Sequence, residues 1–259
     1  MAISVLRRDE LYRALVAVGI RSGDGLLIHS ALQFLGRPES GIQMYLDVIQ
    51  QAVGVNGTLA VPTFTFAFAR GHEFDPKKTP SEGMGIFSEF ARRKPDARRT
   101  WHPMQSLAFI GAQAENLARR DTPSAFDDGS AFAQILELDF KLLLLGAEIQ
   151  AASIVHYCEQ RGHVPYRQWK EFTGNVKVGD VWEERTYRMF VRDLALDPQL
   201  NLEPVRQSLA AKGQWHAHKL NYGQIACCKL VDFVTVTDAL LAANPWGLVS
   251  NKPESVANN

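Results

Sequence analysis

Three polar side chains follow an apolar run at intervals of three residues: Ser153, His156 and Glu159. If residues 152–161 form a helix, these side chains lie close to one face of it. A carboxylate beside a neutral imidazole stabilises the imidazolium that forms when histidine takes a proton near pH 7. The spacing therefore predicts a general base, His156, although a surface helix with an incidental His–Glu pair has the same pattern.

The apolar run before this helix, LLLLG at residues 142–146, lacks the alternation of a half-exposed strand and predicts a strand covered on both faces. Two further apolar strands, at residues 26–30 and 58–66, flank a helical pattern at residues 42–54 that ends in glycine. This order of strand, helix and strand is typical of a parallel sheet. Ligands bind outside the carboxyl ends of such strands, and His156 follows one of them.

The carboxyl-terminal part of the chain predicts a different arrangement. Alternating strands are expected within NVKVGDVWEERTYRMFVR (175–192), and a final helix within VTDALLAANP (236–245). The fold class is thus predicted to be α/β, with a central, largely parallel sheet flanked by helices and an antiparallel C-terminal portion. Residues 1–259 contain no linker-like stretch, so we expect a single domain.

Composition narrows the class of ligand. Lysine and arginine together number 28, as do aspartate and glutamate, so no net charge favours a nucleic acid or an anionic membrane as partner. No segment approaches the roughly 20 apolar residues of a spanning helix, and the start lacks a signal-peptide core. A cytoplasmic protein with a small-molecule substrate is therefore expected. The three cysteines form neither a disulfide framework nor a zinc-like pair.

Two other groups of residues could bind a ligand but have ready structural explanations. His216 and His218 would share one face of a strand and could hold a metal, yet no third ligand stands nearby in the sequence, so no metal is predicted. Arg98 and Arg99 could hold a phosphate or a carboxylate in a fork. A basic loop of this kind is, however, usually a solvated one.

The turn that follows residues 26–30 raises a different chemistry. Backbone N–H groups at such a turn can point at a phosphate or at a developing oxyanion. Ser30 could instead be a nucleophile, in which case it or Cys158 would work with a histidine in a hydrolase and form a covalent intermediate. The nucleophile motif GxSxG is absent from the sequence, which counts against this alternative.

Taken together and in order, five stretches resemble the aminoglycoside 3-N-acetyltransferase family: HSALQFLG, GTLAVPTFTF, FDPKKTPSEGMG, RRTWHPMQS and LLLLGAEIQAASIVHYCEQ. The similarity is good over about residues 10–165 and looser beyond them. It implies an α/β/α fold distinct from that of the common GNAT acetyltransferases. It also implies an acyl-CoA donor, with acetyl or another short acyl group, and a primary amine of a sugar as acceptor.

The resemblance further implies a role for individual residues. The family's general base matches His156, and the acid that follows it by three matches Glu159, which would hold the imidazole ring. The acyl-CoA site would comprise a turn at Ser30, Ala31 and Leu32, with backbone N–H groups near Ala31 and Leu32 at the oxyanion, and walls at Thr63, Arg99, His102 and Ser106. Contacts with the acceptor would come from Asp75, Gln150 and Ser153.

Departures from the family pattern bear on the acceptor. The turn reads HSA where the family usually has HSS, and Gln150 stands where relatives commonly carry aspartate. Polycationic aminoglycosides call for carboxylates in the cleft. We therefore rank an amino sugar, linked to a nucleotide and used in surface polysaccharide synthesis, ahead of an aminoglycoside antibiotic whose acetylation confers resistance. Basic residues that could face a diphosphate are Arg70, Lys77, Lys78, Arg161 and Arg167.

A third class of protein is a non-catalytic carbohydrate-binding module, whose aromatic platform would use Trp169, Trp182 and Trp215. Such a module has no use for a His–Glu pair behind a buried strand, and dispersed tryptophans are more often core residues. The oligomeric state is left open, and a homo-oligomer is possible.

Overall fold

The computed structural model describes residues 4–251 of the chain. Its strands are β1 (Val5–Leu6), β2 (Gly25–Ser30), β3 (Arg37–Pro38), β4 (Thr58–Pro62), β5 (Arg98–Arg99), β6 (Leu107–Gly111), β7 (Lys141–Leu145), β8 (Arg167–Val178), β9 (Val181–Arg192), β10 (His216–Leu220) and β11 (Gly223–Lys229). Its α-helices are α1 (Arg8–Ala17), α2 (Gln43–Val53), α3 (Gly85–Arg92), α4 (Ala114–Ala118), α5 (Ala131–Glu137), α6 (Val155–Arg161), α7 (Glu203–Ala211) and α8 (Leu230–Ala243).

Seven of these strands form one sheet in the order β10, β11, β7, β2, β4, β6, β5. The three central strands, β7, β2 and β4, run parallel, which is possible because helices connect them across the sheet. The C-terminal strands β11 and β10 add to β7 in antiparallel fashion, and β6 and β5 do the same beside β4. The predicted fold class is confirmed, and antiparallel strands lie on both sides of the parallel centre.

Helices cover both faces of this sheet. The apolar sides of α1, α2 and α3 pack on one face, and those of α4 to α8 pack on the other. Within β7, Leu143 and Leu145 face the first layer while Leu142 and Leu144 face the second, and all four are fully buried. Each such leucine contributes roughly 1.5–3 kcal/mol through burial. The predicted strand with two covered faces is therefore confirmed.

The long hairpin of β8 and β9 stands apart from the main sheet. It reverses at Gly179, whose φ of 61° suits a tight two-residue turn. Three of its side chains, Val176, Tyr187 and Met189, pack on Phe68 and other residues in a small separate core. The hairpin is thereby fixed over the segment that follows β4.

The helix α6 begins at Val155 rather than at residue 152, because a 3₁₀ turn, Ile149–Ala151, comes first. It ends at Arg161, where the N–H of Gly162 donates to the carbonyl of Cys158 at 2.8 Å. No helix within residues 4–251 is both long and apolar enough to cross a membrane.

Candidate active site

The candidate general base, His156, lies in the first turn of α6, beyond the carboxyl end of β7. Its Nδ1 atom is 2.6 Å from Oε2 of Glu159. The Glu159 side chain is fully buried, whereas 27% of the His156 side chain is exposed. A carboxylate only accepts, so Nδ1 carries the proton and donates it, which leaves the lone pair on Nε2. The structure thus brings together the two residues that the sequence pairs.

Arg167, the first residue of β8, completes this group. Its Nε atom lies 2.9 Å from Oε2 of Glu159, and its Nη2 atom lies 3.1 Å from Nδ1 of His156. An arginine cannot accept a proton, so the contact with the imidazole is electrostatic and the carboxylate remains the partner of Nδ1. A third nitrogen, Nη1, donates to the carbonyl of Phe190 on β9 at 3.1 Å. The guanidinium therefore ties the hairpin to the carboxylate.

Glu159 is ionised despite its burial. Burial by itself acts to raise the pKa of this carboxyl, but the hydrogen bond from His156 and the charge of Arg167 outweigh it and hold the pKa below its ordinary value. The phenol of Tyr166 lies close to the same carboxylate. Burial, and then the charge of Glu159, raise the pKa of Tyr166 well above its usual range, so the phenol keeps its proton.

His29, near the end of β2, contacts Ser153, which lies just before α6. Its Nε2 atom accepts from the backbone N–H of Ser153 at 3.4 Å and lies 3.3 Å from the Ser153 hydroxyl. The carbonyl of Ser153 in turn accepts from the N–H of His156 at 3.2 Å. Burial, and then the neighbouring His156, lower the pKa of His29 to about 3, so His29 stays neutral and serves as an acceptor. It therefore links β2 to the start of α6.

Two cavities meet at His156. The turn cavity, of about 470 Å³, lies beside the turn after β2 and is lined by residues that include Ser30, Ala31, Gly85, Gln150 and Ser153. The hairpin cavity, of about 530 Å³, lies against the β8–β9 hairpin and is lined by residues that include Gln105, Glu159, Tyr166, Arg167 and Met189. Both cavities share Phe64, Phe66, His156 and Leu200. The imidazole therefore stands where two ligands could meet.

The turn after β2 lies where the sequence places it, with one correction. Ser30 and Ala31 line the turn cavity, while Leu32 packs on the core of the opposite helical layer. The N–H of Ala31 donates to the carbonyl of Leu145 at 2.9 Å, so it continues the pairing of β2 with β7 and is not free for an oxyanion. Of the two backbone donors expected there, only that of Leu32 remains a candidate.

The three expected acceptor contacts do not lie together. Gln150 and Ser153 line the turn cavity, although the Gln150 amide also donates to the carbonyl of Leu200 at 2.6 Å and accepts from the N–H of Leu202. Asp75 is buried in the loop after β4, where its carboxylate accepts from the N–H of Lys77 at 2.9 Å. Asp75 lines neither cavity and serves to shape that loop.

Arg99, Thr63 and Ser106 form a buried polar cluster away from both cavities. The Arg99 Nε atom donates to the hydroxyls of Thr63 and Ser106, at 3.0 Å each, and the Ser106 hydroxyl donates to the Thr63 carbonyl at 2.8 Å. Burial, and then the nearby Arg92, lower the pKa of Arg99 to about 9. These side chains satisfy one another's hydrogen bonds, so a structural role accounts for them without the predicted contact with acyl-CoA.

Replacing Arg99 with methionine tests this assignment. The change leaves the hydroxyls of Thr63 and Ser106 without their shared donor, so the free energy of unfolding should fall by about 2–4 kcal/mol. The KM for acetyl-CoA should stay the same in the folded variant. The matched control is Arg98→Met, which removes a half-exposed arginine paired with Glu115 and should cost less than about 1 kcal/mol. A stable Arg99→Met protein with a strongly raised KM for acetyl-CoA would instead support the predicted contact between Arg99 and acyl-CoA.

His102 is also a structural residue. Its Nδ1 atom accepts from the N–H of Gln105 at 3.2 Å, so its Nε2 carries the proton and faces the carbonyl of Arg188 at 3.3 Å. Burial lowers the pKa of His102 to about 4, even though its hydrogen bonds act to raise it. The residue is 4% exposed, lines neither cavity and joins the turn before β6 to the hairpin, so a structural role accounts for it without the predicted contact with acyl-CoA.

Two alternatives from other classes lose their support: Cys158 as a nucleophile, and a sugar platform that includes both Trp169 and Trp182. The Cys158 thiol is fully buried, and burial raises its pKa well above the ordinary value, so it is a poor nucleophile. Trp169 and Trp182 stand at opposite ends of the hairpin, because Trp169 pairs with Phe190 and Trp182 with Lys177. They cannot form one sugar platform. Within residues 4–251 there is no group of histidine, cysteine or acidic residues that could hold a metal ion.

The proposed diphosphate partners are likewise engaged elsewhere. Arg70 pairs with Glu82 at 2.8 Å, Arg161 with Asp238 at 3.4 Å and Arg167 with Glu159 at 2.9 Å. Lys77 and Lys78 line neither cavity beside His156. These cations therefore do not converge on one anion.

A larger hollow, of about 720 Å³, lies at the other end of the parallel strands, where β7 begins. Four of its charged side chains form two ion pairs: Lys141 with Asp24 at 2.6 Å, and Lys229 with Asp139 at 2.7 Å. It lacks a base held by a buried acid and stands at the amino-terminal end of the parallel strands. We therefore assign the chemistry to the smaller cavities at His156.

Solved structures share this architecture. One described as AAC-IIIb in a binary complex with CoASH superposes with a TM-score of 0.81 at 21% identity, covering 96% of this chain and 100% of that one. Another, described as AAC-VIa with bound sisomicin, gives a TM-score of 0.81 at 25% identity and covers 93% of this chain and 99% of the other. The fold is therefore that of the aminoglycoside acetyltransferases.

Sequence comparison leads to the family itself. The family model described as aminoglycoside 3-N-acetyltransferase matches residues 27–242, and this chain belongs to that family. Aminoglycoside N(3)-acetyltransferase III of a Salmonella species is 28% identical over 180 residues, which are 62% of this chain and 63% of that protein. The chain thus matches somewhat less than two thirds of that relative's length.

Sequence reasoning missed three residues of the site: His29, Gln105 and Arg167 in its observed role. His29 and Gln105 stand inside two of the family-like stretches, HSALQFLG and RRTWHPMQS. In each stretch the next residue is a serine, Ser30 or Ser106, to which the sequence analysis gives the role at the site. Arg167 is the first residue of β8, and the position of β8 relative to α6 is set by packing. No local sequence pattern therefore marks this arginine as part of the site. The position of His29 at the carboxyl end of a predicted parallel strand is a signal that could have identified it.

Proposed function

We propose that this chain transfers an acetyl or short acyl group from acyl-CoA to a primary amine of an aminoglycoside. The observation that carries the proposal is the His156–Glu159 pair at the junction of two cavities. The family to which the chain belongs, and relatives such as aminoglycoside N(3)-acetyltransferase III, support an aminoglycoside as acceptor over the nucleotide-linked amino sugar that the sequence analysis ranks first. The separate pairing of the candidate diphosphate ligands supports the same choice.

In the proposed reaction the acyl-CoA thioester occupies the turn cavity and the amine enters from the hairpin cavity. An ammonium group cannot attack a carbonyl until it loses a proton, and Nε2 of His156 takes that proton. The nitrogen lone pair then forms a bond to the thioester carbon. The C–S bond breaks and CoA leaves as a thiolate, which takes up the second proton that the nitrogen loses as the amide forms, and His156 gives its proton to the solvent. No acyl-enzyme is formed.

The residues around His156 have distinct roles in this scheme. Glu159 selects the imidazole tautomer that leaves Nε2 free and stabilises the imidazolium that forms. Arg167 offsets the buried carboxylate's charge and fixes its position. Neutral His29 adds no positive charge beside the imidazolium. The fit with CoA rests on the uncharged turn cavity, whose small residues Ala31 and Gly85 leave room for a narrow pantetheine arm.

A thiol-release assay tests the proposal. Acetyl-CoA is incubated with the protein and a panel of aminoglycosides, and in parallel with nucleotide-linked amino sugars. Free CoA should appear only with an aminoglycoside, together with an acetylated product that mass spectrometry detects. Release of CoA with the nucleotide-linked sugars alone would identify a nucleotide-linked amino sugar as the acceptor. Release of CoA without any amine would indicate a hydrolase.

A further inference from the structure

Four buried polar atoms without a hydrogen-bond partner among the described residues belong to side chains that line the hairpin cavity. They are Oε1 of Gln105, Oε1 of Glu159, the hydroxyl of Tyr166 and Nε of Arg167. The first three of these residues are only 6%, 0% and 1% exposed. Nearly all buried polar groups in proteins are paired, because an unpaired one is costly. Their gathering in one cavity therefore points to a ligand.

Three of these atoms belong to one charged group, because Nε of Arg167 lies 2.9 Å from Oε2 of Glu159, and, besides burial, the charge of Glu159 and a hydrogen bond with it contribute to the raised pKa of the Tyr166 phenol. Gln105 has no such neighbour for its side-chain oxygen. Another buried glutamine shows the contrast: Gln160 accepts from the Ser124 hydroxyl at 2.6 Å and donates to Asp127 at 3.0 Å. Gln105 thus differs from Gln160 in having a buried side-chain oxygen without a hydrogen-bond partner among the described residues.

The backbone holds Gln105 firmly in place. Gln105 ends the 3₁₀ turn Pro103–Gln105, and its N–H donates to Nδ1 of His102. His102 is anchored in turn to the hairpin through the carbonyl of Arg188. The amide is therefore positioned by two elements before any ligand arrives, which lowers the entropic cost of using it.

We propose that Gln105 is a specificity-determining residue, whose side-chain amide binds a second polar group, a hydroxyl or an amine, of the acceptor. The inference rests on the proposed function and narrows it. The amide offers one acceptor oxygen and two N–H donors, and so fits a hydroxyl in either role. The acceptor class is then a polyhydroxylated amine rather than a simple alkyl amine.

Stability of the ligand-free protein gives the first test. Gln105→Met keeps the side-chain volume and removes the unpaired polarity, so its Tm should rise by about 2 °C or more. The matched control, Gln160→Met, removes a glutamine with both ends paired and should lower the Tm by a similar amount. A purely structural glutamine at position 105 would instead give a fall in Tm for Gln105→Met, and that result would overturn the proposal.

Kinetics give the second test. The KM of Gln105→Met for a polyhydroxylated amine should rise about tenfold, while kcat and the KM for acetyl-CoA stay within about threefold. The preference of the wild type for this acceptor over a plain alkyl amine should shrink by the same factor. A raised Tm with unchanged acceptor KM would mean that the amide does not touch the acceptor. If no amine releases CoA from the wild type, the proposed function fails, while the Tm comparison still reports on the pairing of Gln105.

Discussion

Replacing His156 with asparagine should lower kcat by about 10²–10⁴-fold, the usual contribution of a positioned general base. Asparagine keeps the polar character of the site and removes the group that takes the proton from the attacking ammonium. The KM for acetyl-CoA should change little, because the thioester binds before the proton moves. Steady-state measurement of CoA release at several pH values checks this expectation.

A matched control for this variant stands at the far end of the same helix. His163 is exposed and follows α6 with a φ of 46°, a backbone conformation that asparagine adopts readily. The His163→Asn variant makes the same chemical change on the same segment and should keep its turnover. Near-normal turnover of folded His156→Asn would remove the proton acceptor from the proposed reaction.

Replacing Glu159 with glutamine should affect stability and activity together. The change leaves the Arg167 guanidinium, whose side chain is only 14% exposed, without the carboxylate 2.9 Å away. Breaking a buried ion pair from one side costs about 3–5 kcal/mol of unfolding free energy. The glutamine amide can donate as well as accept, so it no longer fixes the imidazole tautomer, and it has no charge to stabilise the imidazolium; kcat should therefore fall by at least about 10²-fold.

The stability difference should depend on pH in a defined direction. The pKa of Glu159 is lowered from the ordinary value of 4.5 in the folded protein, so the wild type gains stability above that value. This gain is lost as the pH falls through the lowered native pKa. Denaturant unfolding of both proteins from pH 7 to pH 3 should therefore show the advantage of the wild type shrinking only on the acid side.

A surface carboxylate provides the control for this measurement. Glu115 bridges two arginines, Arg98 and Arg119, at 3.0 Å each, and is exposed. Glu115→Gln should leave turnover unchanged, because the site lies elsewhere, and should alter stability only slightly since exposed ion pairs contribute little. If Glu159→Gln behaves like Glu115→Gln in both respects, the buried carboxylate has no part in positioning His156.

The pairing of His156 with Glu159 beyond β7 could be predicted from the sequence because it depends on local patterns. The consecutive leucines of residues 142–145 are typical of a strand covered on both faces, and ligands bind at the carboxyl ends of such parallel strands. The spacing of three between His156 and Glu159 places both side chains on one helical face whatever surrounds the helix. Helix α6 had to present this pair, and the local pattern was enough to predict it.

Only the tertiary structure decided which polar residues are free for a ligand. Arg99, Thr63 and Ser106 have the chemistry of a phosphate site, yet chain segments far apart in sequence close around them and satisfy their hydrogen bonds. Gln105 looks ordinary in sequence, but it lines the hairpin cavity with its side-chain oxygen buried and without a partner. Residue type determines what a side chain can bind, whereas packing between distant segments determines whether that capacity is already used.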